Sequence, residues 1–183
     1  QPGVWPAVST CTESSWFDMK IKKNFLDKEY FKKIQDYFIN PWRPYYYQSK
    51  VSNPTDKINT KHFYFNHIVF SANGSNVLSV NTDGYDLLRP LLNIIECKAI
   101  ILIKVNLYPR TDKILNHNTH VDNKFKHKGC LLSLNTCNGG TIIGKKFIKS
   151  EENQALFFDP SEKHNSTTCT DQHARFNINI NYF

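Results

Sequence analysis

The stretch Arg175-Phe176-Asn177-Ile178-Asn179-Ile180-Asn181-Tyr182 alternates polar and apolar residues without a break. In an extended strand, side chains two apart share a face. Arg175, Asn177, Asn179 and Asn181 therefore line one side, and Phe176, Ile178, Ile180 and Tyr182 the other. The polar side is either the wet face of an edge strand or an inward face. On an inward face, the terminal guanidinium can hold a carboxylate through two hydrogen bonds. Upstream, the period of two recurs over 99–107, 119–123, 129–135, 141–143 and 154–158. Gly, Pro, Asn and Asp turns separate these segments, as between short strands.

Before residue 98 the period lengthens. Tyr30, Phe31, Ile34, Tyr37 and Phe38 form one apolar stripe, which predicts a helix over 27–39 with Asp27 as N-cap and Leu26 stapled onto Phe31. Pro41-Trp42-Arg43-Pro44 stops it. Tyr45–Tyr47 enters a strand, Pro54 and Asp56 mark a turn, and 62–70 reads as an apolar strand. A second helix over 84–96 puts Leu87, Leu88, Leu91, Leu92 and Ile95 on one side, with Pro90 delaying or kinking it. Residues 1–20, rich in Pro, Gly, Ser and Thr, read as an irregular surface wrap. Two helices followed by many short strands predict an α+β, mainly β protein whose core is a β-sandwich or jelly roll.

Composition sets the remaining bounds. A chain of 183 residues buries roughly 70% of its unfolded surface, enough for one domain spanning 1–183. Its 40% apolar content excludes a wholly disordered chain. No apolar run nears the ~18 residues of a membrane span. No basic-then-apolar leader opens the sequence, so a retained signal peptide is not expected. The charge of +7 comes from 23 basic and 16 acidic residues, and only four of the basic ones are Arg. Nucleic acid is thus permitted as a partner without being favoured, since Lys reads phosphate and guanine less well than Arg. The lysines of 20–33 read as a solvated face. Cys11, Cys97, Cys130, Cys137 and Cys169 contain no C-x-x-C pair, which predicts free thiols in a reducing, cytoplasmic compartment.

Chemistry concentrates in Asn118-Thr119-His120-Val121-Asp122-Asn123. On a strand, His120 and Asp122 sit side by side with Val121 turned away. They supply two of the three ligands of a 2-His-1-carboxylate triad, a set that suits Fe(II) and leaves positions open. Alone the tripeptide is equally a hydrogen-bonded surface pair. Further on, Phe157-Phe158-Asp159-Pro160-Ser161-Glu162-Lys163-His164 reads as strand, turn and a second His, ten residues before Arg175.

In this combination the sequence resembles the Fe(II)/2-oxoglutarate-dependent dioxygenases, particularly the prolyl-4-hydroxylase-like branch and small phage and marine-bacterial oxygenases. The matching segments run in family order: Leu107-Tyr-Pro109, His120-Val-Asp-Asn123, 129–135, Gly139-Gly-Thr141, Leu156-Phe-Phe-Asp159, His164 and 175–183. The resemblance implies a double-stranded β-helix, a cupin-like jelly roll, over 98–183. Residues 1–97 would form the supporting region, with both helices packed on the major sheet. It implies Fe(II) held by His120, Asp122 and His164, with O2 and the co-substrate 2-oxoglutarate. Arg175 would clamp the distal carboxylate and Tyr108 would reach it. The expected reaction hydroxylates a peptidyl proline or another protein or small-molecule substrate, in a cytoplasm that is the host's if the chain is phage-encoded.

His173 is the alternative third ligand. His164 is preferred because the ten-residue gap lets Arg175 sit on a neighbouring strand. His117 and His127 are expected in solvent or behind the ligands, and His62 and His67 as ordinary sheet residues. Thr141 is expected to serve a turn, and Asn177 and Asn179 to line the cavity or support the fold. A jelly-roll binding module without chemistry and a basic nucleic-acid-binding protein are the rival readings.

Overall fold

The computed structural model describes residues 18–51, 62–72 and 79–183. The turn at Pro54 and Asp56, and the wrap read over 1–20 as far as residue 17, lie outside these. In chain order the elements are β1 (Lys20–Lys22), α1 (Lys28–Phe38), β2 (Tyr46–Gln48), β3 (Tyr64–Ser71), β4 (Ser79–Val80), α2 (Thr82–Ile94) and β5 (Ile100–Pro109). There follow β6 (Lys128–Ser133), β7 (Gly140–Ile143), β8 (Lys146–Lys149), β9 (Ala155–Phe158), β10 (His164–Ser166) and β11 (Ala174–Tyr182). Eight strands form one sheet in the order β1-β9-β6-β11-β5-β3-β2, with β4 paired to β3. Three more form a sheet ordered β10-β7-β8. The pairings between named strands are all antiparallel. The protein is thus mainly β with two helices, consistent with a jelly roll.

The alternating strand sits in the middle of the large sheet, not at an edge. β11 pairs with β5 on one side and β6 on the other, with Asn177 opposite both Asn106 and Ser133. Both of its faces are covered. Ile178, Ile180 and Tyr182 join Val69, Ile103, Val105 and Leu132 in a core packed against the helices. That core takes Phe31, Ile34 and Phe38 from α1 and Leu88, Leu91 and Leu92 from α2. The opposite face of β11 is the asparagine row, and it lies nearly as deeply buried.

Local signals hold at the helices. The Asp27 carboxylate accepts hydrogen bonds from the amides of Glu29 and Tyr30, and Leu26 is buried in the same core as Phe31. Pro90 neither delays nor ends α2. Its ring crowds the preceding turn, and the Tyr30 hydroxyl enters there. That hydroxyl donates to the Leu87 carbonyl at 2.8 Å and accepts from the Leu91 amide at 3.1 Å, bridging the weakened ladder.

One strand expectation and one turn expectation change. Segment 119–123 is not a strand: only His120 makes a bridge, to His164. The strand expected over 141–143 forms as β7, so Thr141 lies in a strand and not in the turn read from its glycine neighbours. Three short strands, Lys20–Lys22, Lys146–Lys149 and His164–Ser166, carry too few apolar residues for any period to show. Between β7 and β8, Gly144 turns the chain at φ 59°, a conformation that a side chain would strain.

Candidate metal centre

Backbone hydrogen bonds stitch two loops together at the centre. The His120 amide donates to the His164 carbonyl at 2.9 Å and the His164 amide donates back at 3.0 Å, while the Asp122 amide donates to Pro160 at 2.9 Å. This exchange brings the side chains together without a strand at Asp122. His120 Nε2 and His164 Nε2 each lie 3.5 Å from Asp122 Oδ1. One ligand atom from each of the three residues lies within 4.8 Å of the others.

The orientation of both rings is set from behind. His120 Nδ1 lies 3.2 Å from the Asn118 carbonyl and His164 Nδ1 lies 2.9 Å from the Glu162 carbonyl. A carbonyl only accepts, so both Nδ1 atoms carry hydrogen and donate it. The Nε2 atoms then point their lone pairs at a carboxylate oxygen, an arrangement that calls for a cation, whether a proton or a metal ion, between them. Asp122 Oδ2 is held separately, accepting from Asn179 Nδ2 at 3.1 Å and Asn181 Nδ2 at 2.8 Å. Burial alone would raise the Asp122 carboxyl, but the facing imidazoles and the Lys104 ammonium outweigh it and hold it well below the usual carboxylate range. The donor set and its spacing fit a facial triad.

Arg175 lies in the same cavity and is 1% exposed. Its Nη2 donates to Thr141 Oγ1 at 2.8 Å and its Nη1 to the Thr167 carbonyl at 3.3 Å, while Nε has no partner among the described residues. The guanidinium carbon is 5.3 Å from the centre of the Tyr108 ring, which stacks on Tyr64 at 5.4 Å. Burial raises the Tyr108 hydroxyl above its ordinary value, against the pull of Arg175. The floor between Arg175 and Asp122 is the asparagine row, and Asn106 Nδ2 donates to Asn177 Oδ1 at 2.9 Å. Asn106 Oδ1, Asn179 Oδ1 and Asn181 Oδ1 are buried without a partner among the described residues, so this floor suits a polar guest. The free volume is ≈ 30 Å³, room for about two waters.

The structure thus brings together His120, Asp122 and His164, with Arg175 and Tyr108 in the same cavity. His173 is exposed and stands outside the cluster. His117 is not in solvent: it is 3% exposed, with Nδ1 2.8 Å from Ser166 Oγ. Burial, reinforced by the neighbouring His62, Arg175 and His120, pushes its pKa down to about 3. His127 is likewise buried and donates from Nδ1 to the Phe125 carbonyl at 2.9 Å. His67 is a buried sheet residue on β3, and the His62 ring lies 5.5 Å from that of His117. Thr141 holds Arg175.

The cavity residue that the sequence reading missed is Lys104. It lies two and four residues before Asn106 and Tyr108 on β5 and so shares their face, a signal the alternation of 99–107 already contained. Burial disfavours its charge, but Tyr64, Asp122 and Tyr108 overcome this and keep the ammonium protonated.

No family model matches the chain, and no curated protein matches it in sequence. Solved structures do match in fold. A 2OG-Fe(II) oxygenase family oxidoreductase from Burkholderia pseudomallei superposes with a TM-score of 0.65 at 11% identity, covering 90% of this chain and 84% of that one. A Trichoplax adhaerens prolyl hydroxylase, solved with a hypoxia inducible factor oxygen degradation domain peptide, gives 0.61 at 15% identity, covering 90% and 83%. A viral collagen prolyl hydroxylase from Paramecium Bursaria Chlorella virus-1, solved with 2OG, gives 0.53 at 12% identity, covering 89% and 94%. This chain shares its fold with 2OG-Fe(II) oxygenases, prolyl hydroxylases among them.

Proposed function

We propose that the protein is an Fe(II)- and 2-oxoglutarate-dependent dioxygenase with a double-stranded β-helix core over 98–183, supported by the region 1–97. The observation that carries this reading is the convergence of His120, Asp122 and His164 within 4.8 Å, beside a buried Arg175. His120, Asp122 and His164 are the iron ligands. Bound there, iron supplies the activation of O2 that couples decarboxylation of 2-oxoglutarate to succinate and CO2 with hydroxylation of a substrate.

The chain's own groups prepare the site. The carbonyls of Asn118 and Glu162 fix both imidazoles in the metal-binding tautomer. Asn179 and Asn181 hold Oδ2 of Asp122 so that Oδ1 faces the imidazoles. Arg175 anchors the distal carboxylate of 2-oxoglutarate, swinging from its resting acceptors Thr141 and Thr167, and Tyr108 gives the same carboxylate a hydroxyl. The guanidinium arrives dehydrated, so each bond it makes there is stronger than in water. Leu131 and Phe158 on the cavity wall exclude water.

Peptidyl proline is the first substrate class to test, followed by other protein side chains and small molecules. The fold likeness to prolyl hydroxylases supports that order, although a shared fold serves many substrates. The test is succinate release from 2-oxoglutarate under Fe(II) and air, across proline-containing peptides, nucleic acids and metabolites. Release stimulated by one class, and lost in Asp122→Ala, supports the reading. A folded protein that binds nucleic acid with steep salt dependence and ignores 2-oxoglutarate refutes it.

A further inference from the structure

A second group of potential ligands lies behind Arg175, outside the centre just described. Cys137 follows β6 and Cys169 lies in the loop between β10 and β11; they are 1% and 0% exposed. One ligand atom from each of Cys137, Cys169 and Asp171 falls within 4.8 Å of the others. We propose that these three residues bind a thiophilic divalent cation, Zn(II), with water in the fourth position.

Three observations support this site. The donors are held by the fold: the Asn138 amide donates to Asp171 Oδ1 at 2.9 Å, Asn138 Nδ2 to Thr170 Oγ1 at 2.7 Å, and the Thr170 amide to Asn138 Oδ1 at 2.9 Å. The two loops are thus locked with the thiols between them. The thiols themselves are weakly used: they contact each other and reach the Gly139 and Gln172 carbonyls at 3.8 and 3.6 Å. Charge is the third. The buried Arg175 guanidinium makes no ion pair among the described residues, and the position of a Gly139 Cβ would lie 3.3 Å from its Cδ.

Two thiolates and a carboxylate around Zn(II) carry a net charge of −1, which complements that guanidinium. Zn–S bonds of about 2.3 Å in a tetrahedron place two sulfurs about 3.8 Å apart, so binding needs only a small contraction. The exposed Asp171 opens the site to the ion and to water. Binding displaces one proton from each thiol and oxidises nothing. Soft sulfur ligands select Zn(II) here, whereas the imidazole and carboxylate set accepts iron as well as other divalent ions, so a thiolate signature distinguishes this centre from the other.

The test uses the full chain, reduced and stripped of metal, titrated with Co(II) and then Zn(II). The proposal expects a thiolate-to-cobalt charge-transfer absorption that one equivalent of Zn(II) bleaches. The band is lost in Cys137→Ser and Cys169→Ser but kept in the double variant His120→Ala/His164→Ala. Zn(II) affinity falls by more than about 100-fold in either Ser variant, since even residues behind the ligands carry 10–100-fold. Asp171→Asn keeps an oxygen for the Asn138 amide, so it tests the ligand without unlocking the loops, and it weakens Zn(II) by at least about 10-fold. Absence of the band in folded wild type overturns the proposal. So does a band that survives Cys169→Ser, or a Zn(II) affinity unchanged in Asp171→Asn.

Discussion

Arg175→Met separates a guanidinium kept for a ligand from one kept for the fold. The side chain is 1% exposed, makes two hydrogen bonds and leaves Nε unpaired, with no carboxylate partner among the described residues. Moving an unpaired charge out of water costs several kcal/mol. Two bonds from a charged donor return about 1.5–3 kcal/mol each, so Arg175 adds little net stability. Methionine fills similar volume without the desolvation penalty, at the expense of two acceptors, Thr141 Oγ1 and the Thr167 carbonyl. The variant is therefore expected to be as stable as wild type or about 1 kcal/mol more so, a rise of up to about 2–4 °C in melting temperature. Its 2-oxoglutarate affinity loses both charged bonds, about 3–6 kcal/mol, or roughly 100- to 10,000-fold. Thermal melts with Fe(II) under argon, with and without 2-oxoglutarate at 100 times the wild-type Kd, read both effects. Wild type gains about 2.7 kcal/mol from the ligand, roughly 5–10 °C, and the variant gains at most about 0.4 kcal/mol, roughly 1 °C. A variant that melts several degrees lower without ligand, yet still responds to it, refutes the reasoning.

Three other substitutions probe separate parts of the account. Asn181→Leu removes the 2.8 Å bond to Asp122 Oδ2 and should weaken Fe(II) binding by about 10–100-fold, read by anaerobic titration, while the melting temperature stays near wild type. His117 has its pKa lowered to about 3, so below about 6.5 the unfolded chain takes up a proton that the folded one refuses. Stability therefore falls with acid across that window, by about 1.4 kcal/mol per pH unit from this group. Urea unfolding at several pH values should show a flatter acid limb in His117→Gln. Gly139→Ala places a methyl 2.4 Å from the Thr168 carbonyl oxygen, and a lowering of stability by about 1–3 kcal/mol is expected in the same assay.

Much of this architecture was legible because burial leaves a period. The stripe from Tyr30 to Phe38 and the alternation over 175–182 each mark a covered face, and both helices and β11 form where those patterns lie. What the alternation did not reveal was that the polar face of β11 is also buried. Asparagines inside a cavity and asparagines in water read alike, and only the pairing with β5 and β6 distinguishes them. The pairing of His120 with Asp122 was reached through a strand that does not exist. Their meeting depends on the bridge to His164 and the bond from the Asp122 amide to Pro160, long-range contacts that no local pattern encodes. Thr141 was assigned to a turn for its glycine neighbours, whereas β10 and β8 pair on either side of it.

Anaerobic addition of Fe(II) and 2-oxoglutarate to the purified protein bears most directly on the convergence of His120, Asp122 and His164 upon one ion. The account predicts a visible charge-transfer band from the iron-bound co-substrate in wild type, absent in His120→Ala and in Asp122→Ala. Wild type without the band, or either variant with a full one, would contradict it.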